Sequence, residues 1–155
     1  MDLKTLADWI RPAGYFNVKS RRLRAFTQMM FDRYSGDLRR LFALETPALR
    51  EVLLDVNGIG PETADSILLY AGGRPVFVVD AYTRRFMMRH GWIGAEATYD
   101  DIVRIFTGRL SRDAALYNEY HALIVSLGKN LCRPNPKCAD CPLMPFLPRI
   151  RRRSP

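Results

Sequence analysis

One stretch of the chain combines a glycine turn, a helix start and a downstream carboxylate, which together could bind and act on an anionic substrate. Gly58-Ile59-Gly60 is a turn that requires a left-handed or unhindered backbone, and Pro61 supplies the fixed φ of a first helical position. Such a turn directs backbone N–H groups outward at a helix N-terminus, which favours an anion such as a DNA phosphate. The downstream carboxylate is Asp80, and an aspartate that opens a helix commonly serves as its N-cap.

A second group of reactive side chains lies near the C-terminal end of the chain. Cys132, Cys138 and Cys141 are its three cysteines, and an odd number makes a poor disulfide framework because one thiol is left over. In a reducing compartment, clustered cysteines more often bind metal. The spacing therefore indicates a metal-binding loop.

The composition limits the partners and the compartment. With 155 residues, 48% of them hydrophobic, the chain can bury one core and is expected to be one domain. A net charge of +8 and a pI near 9.8 favour a polyanionic partner, although a merely soluble basic protein has the same signature. Neither a membrane-spanning apolar run nor a signal peptide in residues 1–20 is recognisable. We therefore expect a cytoplasmic, nucleoid-associated protein.

Helical periodicity positions these groups. Apolar stripes recur at helical spacing along most of the chain, and we expect Thr46 to cap, with Pro47, the helix that enters the turn. A helix from about Asp80 to His90 should follow the short apolar run 76–79. The stripes that predict helices are Leu3, Leu6, Ala7 and Ile10; Leu23, Phe26 and Met30; Tyr99, Ile102, Phe106 and Leu110; and Leu116, Tyr120, Leu123, Ile124 and Leu127. The fold is predicted to be all-α.

Two segments resemble a known family. VNGIGPETADSILLYAGGRPVFVVD at 56–80 and RPAGYFNVK at 11–19 are similar to the endonuclease III, or helix-hairpin-helix-GPD, superfamily of DNA glycosylases. The resemblance implies a helical glycosylase domain over 1–131, with the hairpin at 53–73, and a Cys/Pro-rich loop with a basic tail over 132–155. Family members have further N-terminal helices that close the fold. We therefore expect a truncated chain that exposes part of its core.

The resemblance also implies roles for residues. Gly58, Ile59, Gly60 and the N–H groups near Thr63 correspond to the grip on the DNA backbone. The two candidate catalytic positions are Asp80 and Glu62. Bifunctional members have a lysine at position 62, which attacks the sugar as a Schiff-base nucleophile. Glu62 cannot form an imine, so the resemblance implies a monofunctional glycosylase, and Glu62 also suits a first helical turn.

Other residues have two interpretations each. Tyr82 could bind the extruded nucleotide or pack between helices, and Arg84 and Arg85 could contact phosphate or form a solvated face. His121 is expected to be a satisfied core histidine rather than a ligand. Glu62 with Asp80-x-Tyr82 resembles the 3-methyladenine glycosylase branch, whose alkylated purine substrates leave with little acid assistance.

The cysteine spacing, Cys132-x5-Cys138-x2-Cys141, is similar to the loop in which many family members hold a [4Fe–4S] cluster. The fourth ligand position is Leu147. Three thiolates can hold a labile cluster, a zinc ion would need a fourth ligand from elsewhere, and a vestigial loop without metal is the remaining alternative. Basic residues near the cysteines suit a DNA-contacting surface with or without iron, namely Lys129, Arg133 and Lys137.

We therefore expect a monofunctional DNA N-glycosylase of base-excision repair that releases a damaged base, in particular an alkylated purine. It should act on double-stranded DNA as a monomer. The alternatives are a non-catalytic helix-hairpin-helix DNA-binding remnant, a mismatch-acting or bifunctional glycosylase and AP lyase, and an unrelated helical protein with an ordinary turn.

Overall fold

The computed structural model describes residues 1–148. In that range the chain forms α-helices and shorter helical turns, which irregular segments connect, and it forms no strands. The prediction of an all-α fold is confirmed. No helix in the described range has the length and apolarity to cross a membrane. The predicted basic tail beyond Pro148 lies outside the described residues.

Internal contacts group the chain into two compact units, Met1–Leu68 and Leu69–Pro155. The first unit contains helices on both sides of the glycine turn, and its fully buried side chains include Leu41, Leu49 and Leu53. The predicted division after residue 131 stays a prediction. The helices of this unit are α1 (Leu3–Trp9), α2 (Phe16–Tyr34), α3 (Leu38–Phe42), α4 (Thr46–Leu54) and α5 (Pro61–Ser66).

The start of α4 differs from the prediction by one residue. Glu45 is the N-cap and makes no side-chain capping hydrogen bond, so Thr46 is the first helical residue rather than the cap. Pro47 then lies in the second position. Proline is tolerated there because the first N–H groups of a helix have no partner within the helix.

The second unit begins within a π-helical turn, Ile67–Ala71, that directly follows α5 in the sequence. After it comes an extended apolar run in which Phe77, Val78 and Val79 are buried. The ring of Phe77 stacks on Phe106 with centroids 4.1 Å apart, and Tyr117 meets it edge-on at 5.4 Å. This aromatic core fixes three helices, α6 (Ala81–Arg89), α7 (Tyr99–Thr107) and α8 (Ala114–Asn130).

The buried face of α8 differs from the apolar stripe that predicted this helix. The face that packs inward consists of Tyr117, His121, Ile124 and Gly128, so only Ile124 belongs to both the predicted and the observed set. Three residues of the stripe are exposed, namely Leu116, Tyr120 and Leu123, the last by 60%, whereas Leu127 is partly buried against the core. Several of them border an apolar groove of about 580 Å³ that Phe86 and Trp92 also line. Because His121 lies on the buried face of α8, its side chain packs inside the second unit.

Candidate functional site

The turn between α4 and α5 has one residue in the left-handed region. Gly58 has φ +90°, which disfavours any residue with a side chain, and the N–H of Ile59 donates to the carbonyl of Val56 at 3.0 Å. Gly60 is extended, with φ −97° and ψ 179°, a conformation open to any residue. Pro61 opens α5 as predicted. Within this turn, the left-handed requirement therefore applies to Gly58 and not to Gly60.

A basic side chain from α2 lies across Gly58. A Cβ added at Gly58 would come within 2.3 Å of Cγ of Arg22, so the close approach and the positive φ both favour glycine. Arg22 also places a cation beside the turn. Positive charge next to outward backbone N–H groups suits a phosphate ligand.

A buried ion pair fastens the two helices of the hairpin together. Nε of Arg50 in α4 donates to Oδ1 of Asp65 in α5 at 2.6 Å, and the second guanidinium nitrogen donates to Oδ2 at 3.1 Å. The side chain of Asp65 is only 2% exposed, and that of Arg50 is 31% exposed. Such two-point pairing fixes orientation as well as distance. This pair was not predicted from the sequence, although its opposite charges flank the glycine turn.

Glu62 and Thr63 are exposed in the first turn of α5. The next residue, Ala64, donates its N–H to the carbonyl of Gly60 at 2.9 Å, which begins the helical hydrogen bonding. The position where the bifunctional family members have a lysine therefore presents a carboxylate at the surface of its unit.

Asp80 lies in the second unit as the N-cap of α6. Its Oδ1 accepts hydrogen bonds from the backbone N–H of Thr83 at 2.7 Å and from the Thr83 hydroxyl at 2.8 Å. Burial raises the pKa of the Asp80 carboxyl, but the contacts with His121 and Thr83 lower it by more, so its pKa lies below the ordinary 3.8. Asp80 is therefore both a cap and a carboxylate that is ionised at neutral pH.

His121 is a buried histidine, as expected, but its position beside Asp80 was not predicted. Its Nε2 lies 3.5 Å from Oδ2 of Asp80, and its Nδ1 pairs with the hydroxyl of Tyr70. Within the described residues Nε2 has no hydrogen-bond partner, so its contact with Asp80 is electrostatic at this distance. Partial burial and the charge of Asp80 raise the pKa of the Tyr70 hydroxyl. The structure therefore places His121 beside the candidate catalytic carboxylate.

The residues of α6 that were predicted to contact substrate or DNA make contacts within the protein. The ring of Tyr82 packs so closely on Gly128 that a Cβ there would lie 2.3 Å from it, and the Arg85 guanidinium lies 5.0 Å from the Tyr82 ring centroid. Arg84 donates to the carbonyl of Ala97 at 2.7 Å, and Arg85 to that of Cys132 at 2.7 Å. Packing accounts for these positions, and the predicted roles of Tyr82 and Arg84 in binding stay predictions.

The three cysteines are free thiols that line one cavity together with Leu147. The cavity volume of about 20 Å³ is room for roughly one water molecule. Within residues 1–148, no group of three or more His, Cys, Asp or Glu side chains is placed to hold a metal ion. A stable four-iron cluster usually has four thiolate ligands and needs more space, so the described arrangement does not fit one.

Hydrogen bonds from Arg89 hold the start of this loop. Its guanidinium donates to the carbonyls of Arg133 at 2.6 Å and Pro134 at 2.8 Å, and to Sγ of Cys132 at 3.2 Å. Arginine is suited to this because its planar group carries five N–H donors. These hydrogen bonds attach the start of the loop to α6.

Residues 1–112 match the profile of the HhH-GPD superfamily of base excision DNA repair proteins. The match covers more than half of the chain and includes both the hairpin and Asp80. The chain belongs to the HhH-GPD superfamily. The "Putative DNA repair glycosylase MJ1434" of Methanocaldococcus jannaschii is 45% identical over 94% of the chain and 67% of the relative. Endonuclease III of Sulfolobus acidocaldarius is 31% identical over 90% of the chain and 60% of the relative.

Solved structures agree with the HhH-GPD assignment. An endonuclease III in a non-covalent complex with DNA superposes with a TM-score of 0.80 over 99% of the chain and 67% of that protein, and at 22% identity it establishes the fold. A Helicobacter pylori 3-methyladenine DNA glycosylase bound to 1,N6-ethenoadenine gives a TM-score of 0.68 at 29% identity over 83% of the chain and 64% of that protein. The chain thus spans about two thirds or less of these relatives.

The cysteine loop allows a direct test of its metal chemistry. We expect Leu147→Cys to bind about four irons after anaerobic reconstitution, because the variant supplies a fourth thiolate and removes a bulky side chain from the cavity. The parent should hold no stable cluster. Iron and sulfide analysis together with visible absorbance would measure both.

Met144→Cys is the matched control, since Met144 lines the same cavity but does not occupy the fourth position of the family spacing. It should gain a thiol without gaining stable iron. A parent protein that reconstitutes as well as Leu147→Cys would contradict the prediction.

Proposed function

We propose that this HhH-GPD protein is a monofunctional DNA glycosylase that hydrolyses the N-glycosidic bond of an alkylated purine. The observation that carries the proposal is the Asp80 carboxylate, which is buried and has a pKa below its ordinary value. Membership of the HhH-GPD superfamily places the protein among base excision DNA repair proteins. Its substrate and its lack of lyase activity are what we propose in addition.

In this mechanism Asp80 acts on the sugar of a nucleotide that has left the base stack. Breaking the N-glycosidic bond develops positive charge on the sugar, which an ionised carboxylate stabilises in a site of low dielectric constant. Asp80 can also orient a water molecule and accept its proton. Both roles require the deprotonated carboxyl, which the contacts with Thr83 and His121 favour.

The leaving group determines which substrates this chemistry suits. An alkylated purine carries positive charge before the bond breaks, so it leaves as a neutral base without a general acid. One carboxylate is then sufficient. The similarity to a 3-methyladenine DNA glycosylase, at 29% identity, supports this substrate class.

The hairpin is proposed to hold the DNA backbone. The left-handed turn at Gly58, the first turn of α5 near Thr63 and the nearby charge of Arg22 form a surface suited to phosphate. These contacts are independent of sequence and should weaken as salt rises. Double-stranded DNA is therefore the proposed partner.

Glu62 is the basis for expecting no strand cleavage. An AP lyase of this type needs an amine that forms an imine with C1′ of the sugar, and a carboxylate has no such reaction. The identity of 31% with an endonuclease III makes a bifunctional enzyme the second candidate. The two candidates differ in whether a covalent intermediate forms.

The decisive experiment measures free base and covalent trapping together. We expect the protein to release 3-methyladenine from methylated duplex DNA and to leave intact abasic strands. Borohydride added during the reaction should trap no protein–DNA adduct. Trapping of an adduct would exclude the monofunctional mechanism, and DNA binding without release of any base would favour a non-catalytic DNA-binding protein.

A further inference from the structure

Two side chains contact the carboxylate of Asp80, one from α6 itself and one from α8. The two oxygens of its carboxylate have different neighbours: Thr83 donates twice to Oδ1, and Oδ2 faces Nε2 of His121 at 3.5 Å. The side chains of Asp80 and His121 are each only 10% exposed. Helix capping therefore uses Oδ1, and Oδ2 is the oxygen that His121 can influence.

The hydroxyl of Tyr70 can donate to Nδ1 of His121 or accept from it, so the tautomer of His121 depends on its other neighbour, Asp80. A neutral imidazole has one N–H donor and one acceptor nitrogen. If the Tyr70 hydroxyl donates to Nδ1, the imidazole proton lies on Nε2 and faces Oδ2 of Asp80. The opposite tautomer would place the Nε2 lone pair against a buried carboxylate, an unfavourable arrangement where the dielectric constant is low.

We propose that His121 is a positioning residue for Asp80, held by Tyr70 so that its Nε2–H is directed at the free oxygen of the carboxylate. The N–H fixes the orientation of that oxygen and favours the ionised form. A third group that orients a catalytic base is a recurring arrangement in enzymes. The catalytic meaning of this network rests on the proposed function, whereas its geometry does not.

Among the residues that the structure describes, two titratable groups influence the carboxylate of Asp80. His121 comes from α8 and Tyr70 from the π-helical turn, and Thr83 on α6 itself is uncharged. The lowered pKa of Asp80 and the raised pKa of Tyr70 agree with a network that keeps the carboxylate charged and the phenol neutral. Removing His121 should therefore move the titration of Asp80 to higher pH.

The first test uses the unmodified protein and needs no activity. Nitrogen-15 NMR of the histidine rings identifies the protonated nitrogen, and carbon-13 NMR of the aspartate carboxyls follows the titration of Asp80. We expect neutral His121 to carry its proton on Nε2. A proton on Nδ1 instead would overturn the proposal.

The second test compares variants of the network with a buried histidine outside it. In His121→Phe the pKa of Asp80 should rise, and DNA affinity should be unchanged. The single-turnover rate of base release should fall roughly tenfold, which is part of what positioned acid–base groups contribute. His121→Gln can return an N–H and should recover part of the loss. His90→Gln is the control, because His90 is equally buried but packs on Phe86 and Trp92.

Tyr70→Phe provides the same test where His121→Phe does not fold, since Tyr70 is half-exposed. It should shift the titration of Asp80 in the same direction by a smaller amount. An unchanged pKa of Asp80 in the folded variants would overturn the proposal. If the pKa of Asp80 shifts in the variants as expected but the parent protein releases no base, only the proposed function would be contradicted.

Discussion

Replacing Asp80 with asparagine should greatly slow base release while leaving DNA binding and the fold intact. Asparagine keeps a side-chain oxygen that can accept the N–H of Thr83, and it is as good an N-cap as aspartate. The substitution removes the negative charge that stabilises the sugar cation and accepts the proton of water. We expect a loss of about 10²- to 10⁴-fold in the single-turnover rate of 3-methyladenine release.

Asp113→Asn is the matched control for this prediction. Asp113 caps α8 in the same unit, where its side chain accepts the N–H of Leu116 at 2.6 Å. If Asp80 were only a cap, the two substitutions would have equally small effects. Base release by Asp80→Asn at the parental rate would therefore show that Asp80 is structural.

The lowered pKa of Asp80 also predicts the direction of the pH dependence. Because its pKa is lower in the folded protein than the ordinary 3.8, the ionised carboxylate stabilises the fold fully above that value. This contribution is lost as the pH falls through the folded pKa. Base release should therefore persist as the solution is acidified towards pH 4, and Asp80→Asn should remove this part of the acid sensitivity of unfolding.

The local features of the fold were predictable from the sequence. The helical spacing of apolar residues and the occurrence of Gly58 shortly before Pro61 are short-range signals. They predicted an all-α chain with a hairpin before Asp80. The residues that act across longer distances were not predictable in the same way. Which of them meet depends on packing that no single segment specifies.

His121 shows why the candidate site was only partly predicted. Helix α8 has apolar residues on more than one face, so periodicity alone favoured the stripe that contains Leu123, which is exposed. The contact with Asp80 joins segments far apart in the sequence. Tyr70 also lies in a π-helical turn, whose wider spacing changes the direction of its side chain and has no clear sequence signature.

Arg50→Met should destabilise the hairpin unit strongly, because it leaves the carboxylate of Asp65 buried without this guanidinium. Breaking a buried pair typically costs about 3–5 kcal/mol, and partial exposure of Arg50 favours the lower end. For a chain of this size a loss of about 3 kcal/mol lowers the melting temperature by roughly 6–12 °C. Calorimetry measures this loss, and DNA affinity should fall with it because α4 and α5 hold the glycine turn between them.

Two further variants separate the buried charge from general effects of losing an arginine. Arg33→Met removes the partner of Asp55 from a pair in which both side chains are at least 50% exposed, and it should cost at most about 1 kcal/mol. The double variant Arg50→Met with Asp65→Leu removes both charges and should recover much of the stability, since a buried pair can often be replaced by apolar residues. Equal melting temperatures for Arg50→Met and Arg33→Met would show that the two-point pair does not fasten the hairpin.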